Sequence, residues 1–294
     1  MIVFRSAIAT RVGFRTLRTE CFTSCRSFAD SGKEKNEPSE KKPIEEQKSQ
    51  GGWISRILTG TPYNPEGVKQ SHSSLLAVSD AIYELQTQDS ISGQRDQYLA
   101  KYKTYANEVQ NAVPGLELFG SWIVLYGNQD QAVHLWKYTG GYTDVNKFIK
   151  ASQENNALRA ADKEAAQFCR RRRNVLTKPF SYWGDPKPRD PSHIYDLRSY
   201  VLKPGTMIEW GNAWAKGITY RRDFNQDVGG FFAQVGQLYM VFHIWAYKDM
   251  IARNETRQQT WSKPGWDNTV AYTVPLLSKM QSKILIPNEF SKLK

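Results

Sequence analysis

The chain has 294 residues, of which 40% are hydrophobic, 13% aromatic and 23% charged, enough to bury a sizeable core in one large domain or two ordinary ones. A mean hydropathy of −0.60 and the lack of any apolar run approaching ~18 residues exclude a membrane-spanning helix and point to a soluble protein. Lys and Arg total 40 against 29 Asp and Glu, a net charge of +11 that suits an anionic surface or the mitochondrial matrix without pointing to nucleic acid.

Residues 1–28 carry five arginines (Arg5, Arg11, Arg15, Arg18, Arg26) against the single acid Glu20, interleaved with Ile2, Val3, Phe4, Ile8, Val12, Phe14 and Leu17. An acid-poor, arginine-rich amphipathic N-terminus predicts a mitochondrial presequence, removed after import. Residues 29–72 read as a disordered linker, because Lys and Glu alternate around Pro38 and Pro43 and almost nothing there can be buried. Within it Trp53, Ile54, Ile57 and Leu58 share one face of a short amphipathic helix ended by Gly60 and Pro62.

An internal repeat organises the rest. Ile82-Tyr83-Glu84-Leu85 returns as Ile194-Tyr195-Asp196-Leu197, and His134-Leu135-Trp136-Lys137-Tyr138 returns as His243-Ile244-Trp245-Ala246-Tyr247, in the same order and at nearly the same offset. Between them lie helical patterns, Tyr98, Tyr102, Tyr105, Val109 in the first half and Met207, Gly211, Trp214, Ile218 in the second. Glu117–Tyr126 and Gln131–Tyr138 predict a hairpin across Gly127–Asp130. The second half predicts a tighter one, Gly229–Val235 and Leu238–Tyr247 around Gly236-Gln237. Helices are expected over Asp144–Arg172 and Lys248–Lys263, with closing strands near Thr177–Trp183 and Lys283–Pro287. Each half then has the βαββαβ order of a ferredoxin-like unit, with domains at 73–188 and 189–294 in an α+β chain whose two sheets cover each other.

The strings Asp130–Tyr142, Tyr195–Arg221, Gly229–Asp249 and Gly265–Leu276 resemble the NIPSNAP proteins of animal mitochondria, from about Trp53 to Lys294. The resemblance implies a dimeric α/β-barrel fold of two ferredoxin-like units and residence in the matrix. It further implies display on the outer surface of depolarised mitochondria, where autophagy receptors and autophagosomal ubiquitin-like proteins are recruited in mitophagy. It brings no catalytic residue with it. Tyr98-Leu99-Ala100-Lys101 and Trp53-Ile54-Ser55-Arg56 satisfy an aromatic-x-x-aliphatic docking pattern only loosely.

Little chemistry is legible. Gly140-Gly141 and Gly229-Gly230 lack the context of a phosphate-binding loop, and Cys21, Cys25 and Cys169 have no metal-ligand or disulfide-framework spacing, so no metal or cofactor is expected. His134 and His243 occupy equivalent strand positions beside Trp136 and Trp245. The pair reads as packed core histidines, with a small-molecule or haem pocket of the α/β-barrel enzyme class as the alternative, on fold analogy. Arg170, Arg171, Arg172 and Arg173, expected at a helix end, read as complements to its dipole, with an anionic-lipid patch as the alternative and no nucleic-acid partner expected. Trp210, Trp214, Trp245, Trp261 and Trp266 read as core or homo-oligomer interface, the alternative being a ligand cavity that they line.

Overall fold

A computed structural model describes residues 76–77, 79–187 and 192–294. The presequence, the linker and the Trp53–Leu58 helix lie outside the described residues. The first half runs β1 (Ile82–Ser90), α1 (Arg95–Ala112), β2 (Leu116–Tyr126), β3 (Gln131–Tyr138), α2 (Tyr142–Glu154), α3 (Asn156–Ala166) and β4 (Cys169–Pro179). The second runs β5 (Ile194–Leu202), α4 (Met207–Gly217), α5 (Thr219–Arg222), β6 (Asp227–Val235), β7 (Met240–Tyr247), α6 (Met250–Trp261), α7 (Trp266–Thr273) and, after a 3₁₀ turn, β8 (Leu277–Pro287). Among the described residues no helix is long and apolar enough to cross a membrane.

The eight strands form one closed antiparallel barrel in the order β1-β3-β2-β8-β5-β7-β6-β4. Each half keeps the ferredoxin-like arrangement, its last strand beside its first and its hairpin on the other side. The halves join where β2 pairs with β8, through Ile123 opposite Ile286, and where β4 pairs with β6, through Thr177 opposite Ala233.

In strands buried on both faces, the side-chain alternation sends successive residues to two different cores. Leu85, Trp122, Leu135, Leu197, Phe242 and Ile244 pack together inside the barrel. Their neighbours point outward under the helices: Trp136 and Tyr138 meet Tyr98, Tyr102 and Val109 of α1, and Trp245 and Tyr247 meet Trp210 and Trp214 of α4. An eight-stranded barrel has room for its own side chains or one small ligand, and here a cavity of about 740 Å³ remains beside Leu85, Thr87, Val201 and Phe242.

Four expectations are corrected. The helix expected over Asp144–Arg172 breaks at Asn155, whose extended backbone (φ −85°, ψ 112°) ends α2 while its side chain accepts from the Leu158 N–H to cap α3 at 3.1 Å. Asn favours such a cap over a place inside a helix. The chain then turns, and Cys169–Pro179 is a strand, so Arg170–Arg173 are on β4 and not at a helix end. Arginine is a good helix former, but the ladder of β4 along β1, with Arg172 opposite Gln88 and Arg173 opposite Thr87, overrides that preference. The β6–β7 hairpin is no tighter than its counterpart: Gly236–Tyr239 and Gly127–Asp130 span the same length, Gly236 and Tyr239 taking positive φ of 101° and 58°. Finally, β8 begins at Leu277 rather than Lys283, because β5 pairs it as far as Leu202 opposite Leu277.

Candidate functional site

The two repeated histidines lie at the same place in their halves, on the outward face of the third strand beneath the helices, and both are fully buried. Their surroundings differ. Nδ1 of His134 is hydrogen-bonded to Ser121 Oγ at 2.9 Å and Nε2 to Tyr98 Oη at 3.0 Å, while the Tyr102 ring stacks on the imidazole at 3.6 Å. Asn288 donates to the same Ser121 oxygen at 2.8 Å. Next to this, Trp136 donates to Tyr102 Oη at 2.8 Å and Tyr102 donates to Gln86 at 2.7 Å. Buried Glu84 accepts from Gln86 at 3.0 Å, Tyr138 at 2.6 Å and Asn174 at 2.8 Å. Burial alone holds the His134 imidazole neutral, its pKa lowered to about 3.

His243 has no such partners: both ring nitrogens are buried without a hydrogen bond. The registers give the reason. Ser121 stands opposite His134 on β2, whereas Gly230 stands opposite His243 on β6. A Cβ at Gly230 would lie 2.3 Å from Trp183 Nε1, so the indole occupies the room a hydroxyl would need. The imidazole is enclosed by Trp214 at 4.6 Å, Trp183 at 4.8 Å, and Trp210 and Tyr200 at 5.3 Å, ring centre to ring centre. Burial, helped by the positive charges of Arg198 and Arg221, holds it neutral as well.

On β1 and β5 the neighbouring positions change in parallel. Gln86 stands opposite His134, but Arg198 stands opposite His243. Arg198 donates to Tyr200 Oη at 2.8 Å and lies 3.8 Å from Asp196, which also takes Arg253 at 2.8 Å and Ser282 at 2.6 Å. Arg221 is buried, donates to Tyr247 Oη at 2.8 Å and covers the Trp245 ring at 4.2 Å. Between the sheet and helices α4, α6 and α7, Arg198, Tyr200, Arg221 and Trp245 line a cavity of about 180 Å³ with Arg257, Trp210 and Trp266. Trp261, expected among the core tryptophans, is 55% exposed at its rim.

Neither histidine fits haem ligation. His134 has both nitrogens committed, and the cavity beside the His243 cage is well below the roughly 300–1,000 Å³ of pockets for larger ligands. Among the described residues no cluster of three or more His, Cys, Asp or Glu side chains is placed to hold a metal ion.

The arginine run does not form one patch. Successive strand residues face opposite sides, and three of the four meet carboxylates: Arg170 with Asp130 at 3.2 Å, Arg172 with Asp162, and Arg173 with Asp89 at 3.1 Å. Tyr98 is buried against His134, which removes Tyr98–Lys101 as a surface docking motif. Missed in the sequence were Arg198, Arg221 and Arg257. A position-by-position reading of the repeat would have found the first, since Ile-Tyr-Glu-Leu-Gln at 82–86 becomes Ile-Tyr-Asp-Leu-Arg at 194–198.

The NIPSNAP family profile matches residues 83–182 and again 195–292. A NipSnap protein of Caenorhabditis elegans is 56% identical over 244 residues, covering 82% of this chain and 46% of its own length, so the chain spans about half of that relative. NipSnap homolog 1 of Danio rerio is 44% identical over 253 residues, with 84% of this chain and 88% of the fish protein covered. Among solved structures, a Lactobacillus acidophilus protein assigned as a monooxygenase superposes with a TM-score of 0.53 at 11% identity, over 70% of this chain and 93% of its own, a likeness of fold alone. With both repeats matched and the fish relative covered nearly end to end, the chain belongs to the NIPSNAP family.

Proposed function

We propose that this NIPSNAP chain is imported into the mitochondrial matrix and works there as a non-catalytic interaction platform for mitochondrial quality control, receiving autophagy receptors when damaged mitochondria display it. The observation that carries the reading is where apolar surface remains. Both hairpin ends present large apolar residues to solvent, Leu125 and Tyr126 in one half and Val235 and Leu238 in the other. Apolar groups left exposed to solvent are what a docking protein offers a partner. The arginine-rich N-terminus supports the address.

Proximity labelling from the full-length protein, before and after depolarisation, tests this. Autophagy receptors are expected among the labelled neighbours only after depolarisation, and labelling is expected to fall in a Tyr126→Ser, Leu238→Ser variant. A neighbourhood of matrix enzymes that depolarisation does not alter would overturn the proposal.

A further inference from the structure

Beyond any surface role, the second half has a cavity lined by indoles and arginines, unlike the one beneath the helices of the first half, which Glu84, Gln86 and Asp162 border. The geometry points to the cavity under α4, α6 and α7 as a site for a small arene carboxylate, its ring among the indoles of Trp210, Trp245 and Trp266 and its carboxylate on Arg221 and Arg257.

Three observations converge on it. The first is charge. Arg198 and Arg253 share Asp196, but among the described residues Arg221, 5% exposed, has only a neutral phenol as an oxygen partner, and its Nε has none. A guanidinium taken out of water without an anion is costly, so the protein holds a place for one. Arg257 shares the cavity, and burial together with Arg198, Arg253 and Arg221 pushes its guanidinium below the ordinary value. A bound anion would relieve that crowding of like charge.

The second observation is the stock of idle donors. Nε1 of Trp210, of Trp245 and of Trp266 is buried without an acceptor, as is Nε of Arg221, and all four belong to residues that line this one cavity. In the first half the equivalent indole, Trp136, is satisfied by Tyr102. Buried donors normally find acceptors, and a carboxylate brings two oxygens able to accept several N–H groups at once, with the planar fork of arginine matched to it.

The third is size and lining. A space of about 180 Å³ is close to the roughly 150 Å³ of an engineered cavity that admits benzene. Indole faces and Val270 prefer a flat apolar body over a hydrated ion such as phosphate.

The test is calorimetric titration of the full chain with benzoate and with 2-naphthoate, each compared with its neutral amide and with acetate, beside thermal melts. Saturable heat and a raised Tm are expected with the arene carboxylates, with the amides and acetate at least about tenfold weaker, the worth of one charge-assisted hydrogen bond. Arg257→Gln, at a half-buried position where folding is not at risk, is expected to weaken benzoate by a similar factor. Val270→Phe, which fills the cavity and keeps every charge, is expected to abolish binding without lowering Tm in the absence of ligand. Equal response to benzoate and benzamide, equal response to acetate, no response up to millimolar benzoate, or undiminished affinity in both variants would each overturn the assignment.

Discussion

The two halves share a frame and differ in what they do with it. Around His134 every polar atom of the ring finds a partner, and the neighbouring indole, phenols, amide and carboxylate bond one another. Around His243 the same strand positions hold Gly230, Arg198 and Trp245, and the result is an aromatic cage with unbonded ring nitrogens and an unneutralised arginine beside it. A satisfied buried network fixes one arrangement, while an unsatisfied one stores a preference for something from outside. The first half satisfies its buried polar groups from within, and the second leaves several without a partner.

Acid gives the largest separation. A histidine whose folded pKa lies below its unfolded value near 6.5 is neutral in the native state while the unfolded chain takes up the proton. Stability is therefore full above about pH 6.5 and is lost as pH falls toward the folded value, about 3 for His134. Each such histidine contributes a slope approaching 1.4 kcal/mol per pH unit in that window. Urea midpoints measured between pH 7 and 4 are expected to fall steeply, and to fall less steeply in His134→Phe and in His243→Phe; parallel profiles would sink this account.

The same two variants divide the halves at neutral pH. His134→Phe leaves Tyr98 Oη and Ser121 Oγ short of a partner and is expected to cost about 2–4 kcal/mol in denaturant unfolding. His243→Phe removes two buried nitrogens that have no hydrogen bond to lose, and its stability at pH 7 is expected to change by less than about 1 kcal/mol. Equal losses would erase the distinction between the halves.

Smallest are the arginines of β4. Their pairs with Asp130, Asp162 and Asp89 are substantially exposed, so Arg170→Gln, Arg172→Gln or Arg173→Gln is expected to cost under about 1 kcal/mol, shrinking further in high salt.

Much of this frame was legible because the repeat is strict where both strand faces are buried. β7 carries large apolar side chains at nearly every position, Ile82, Tyr83 and Leu85 open β1, and α1 shows Tyr98, Tyr102, Tyr105 and Val109 on one face. What escaped was decided by partners distant in sequence. Nothing local makes Arg170–Arg173 extended; the ladder along β1 does. The polar start of β8, Ser278–Lys283, is likewise a strand only because β5 lies beside it. The histidines were visible as a pair, but their divergence was not. It rests on Ser121 and Gly230, which stand on other strands and are identified with each other only once the registers are known.

Barrel closure also has a kinetic side. Ile123 of β2 waits for Ile286 of β8, almost the last strand residue of the described chain, and β5 lies along the same strand. On a ribosome or emerging from a translocation pore, the first half can complete its own hairpin and helices long before that partner arrives. Until then β2, already paired with β3, presents its other edge open along Trp122, Ile123 and Val124, a template for pairing with the wrong chain. Folding should accordingly be slow, as non-local β pairing makes it, and most dependent on chaperones in the interval before β8 is delivered.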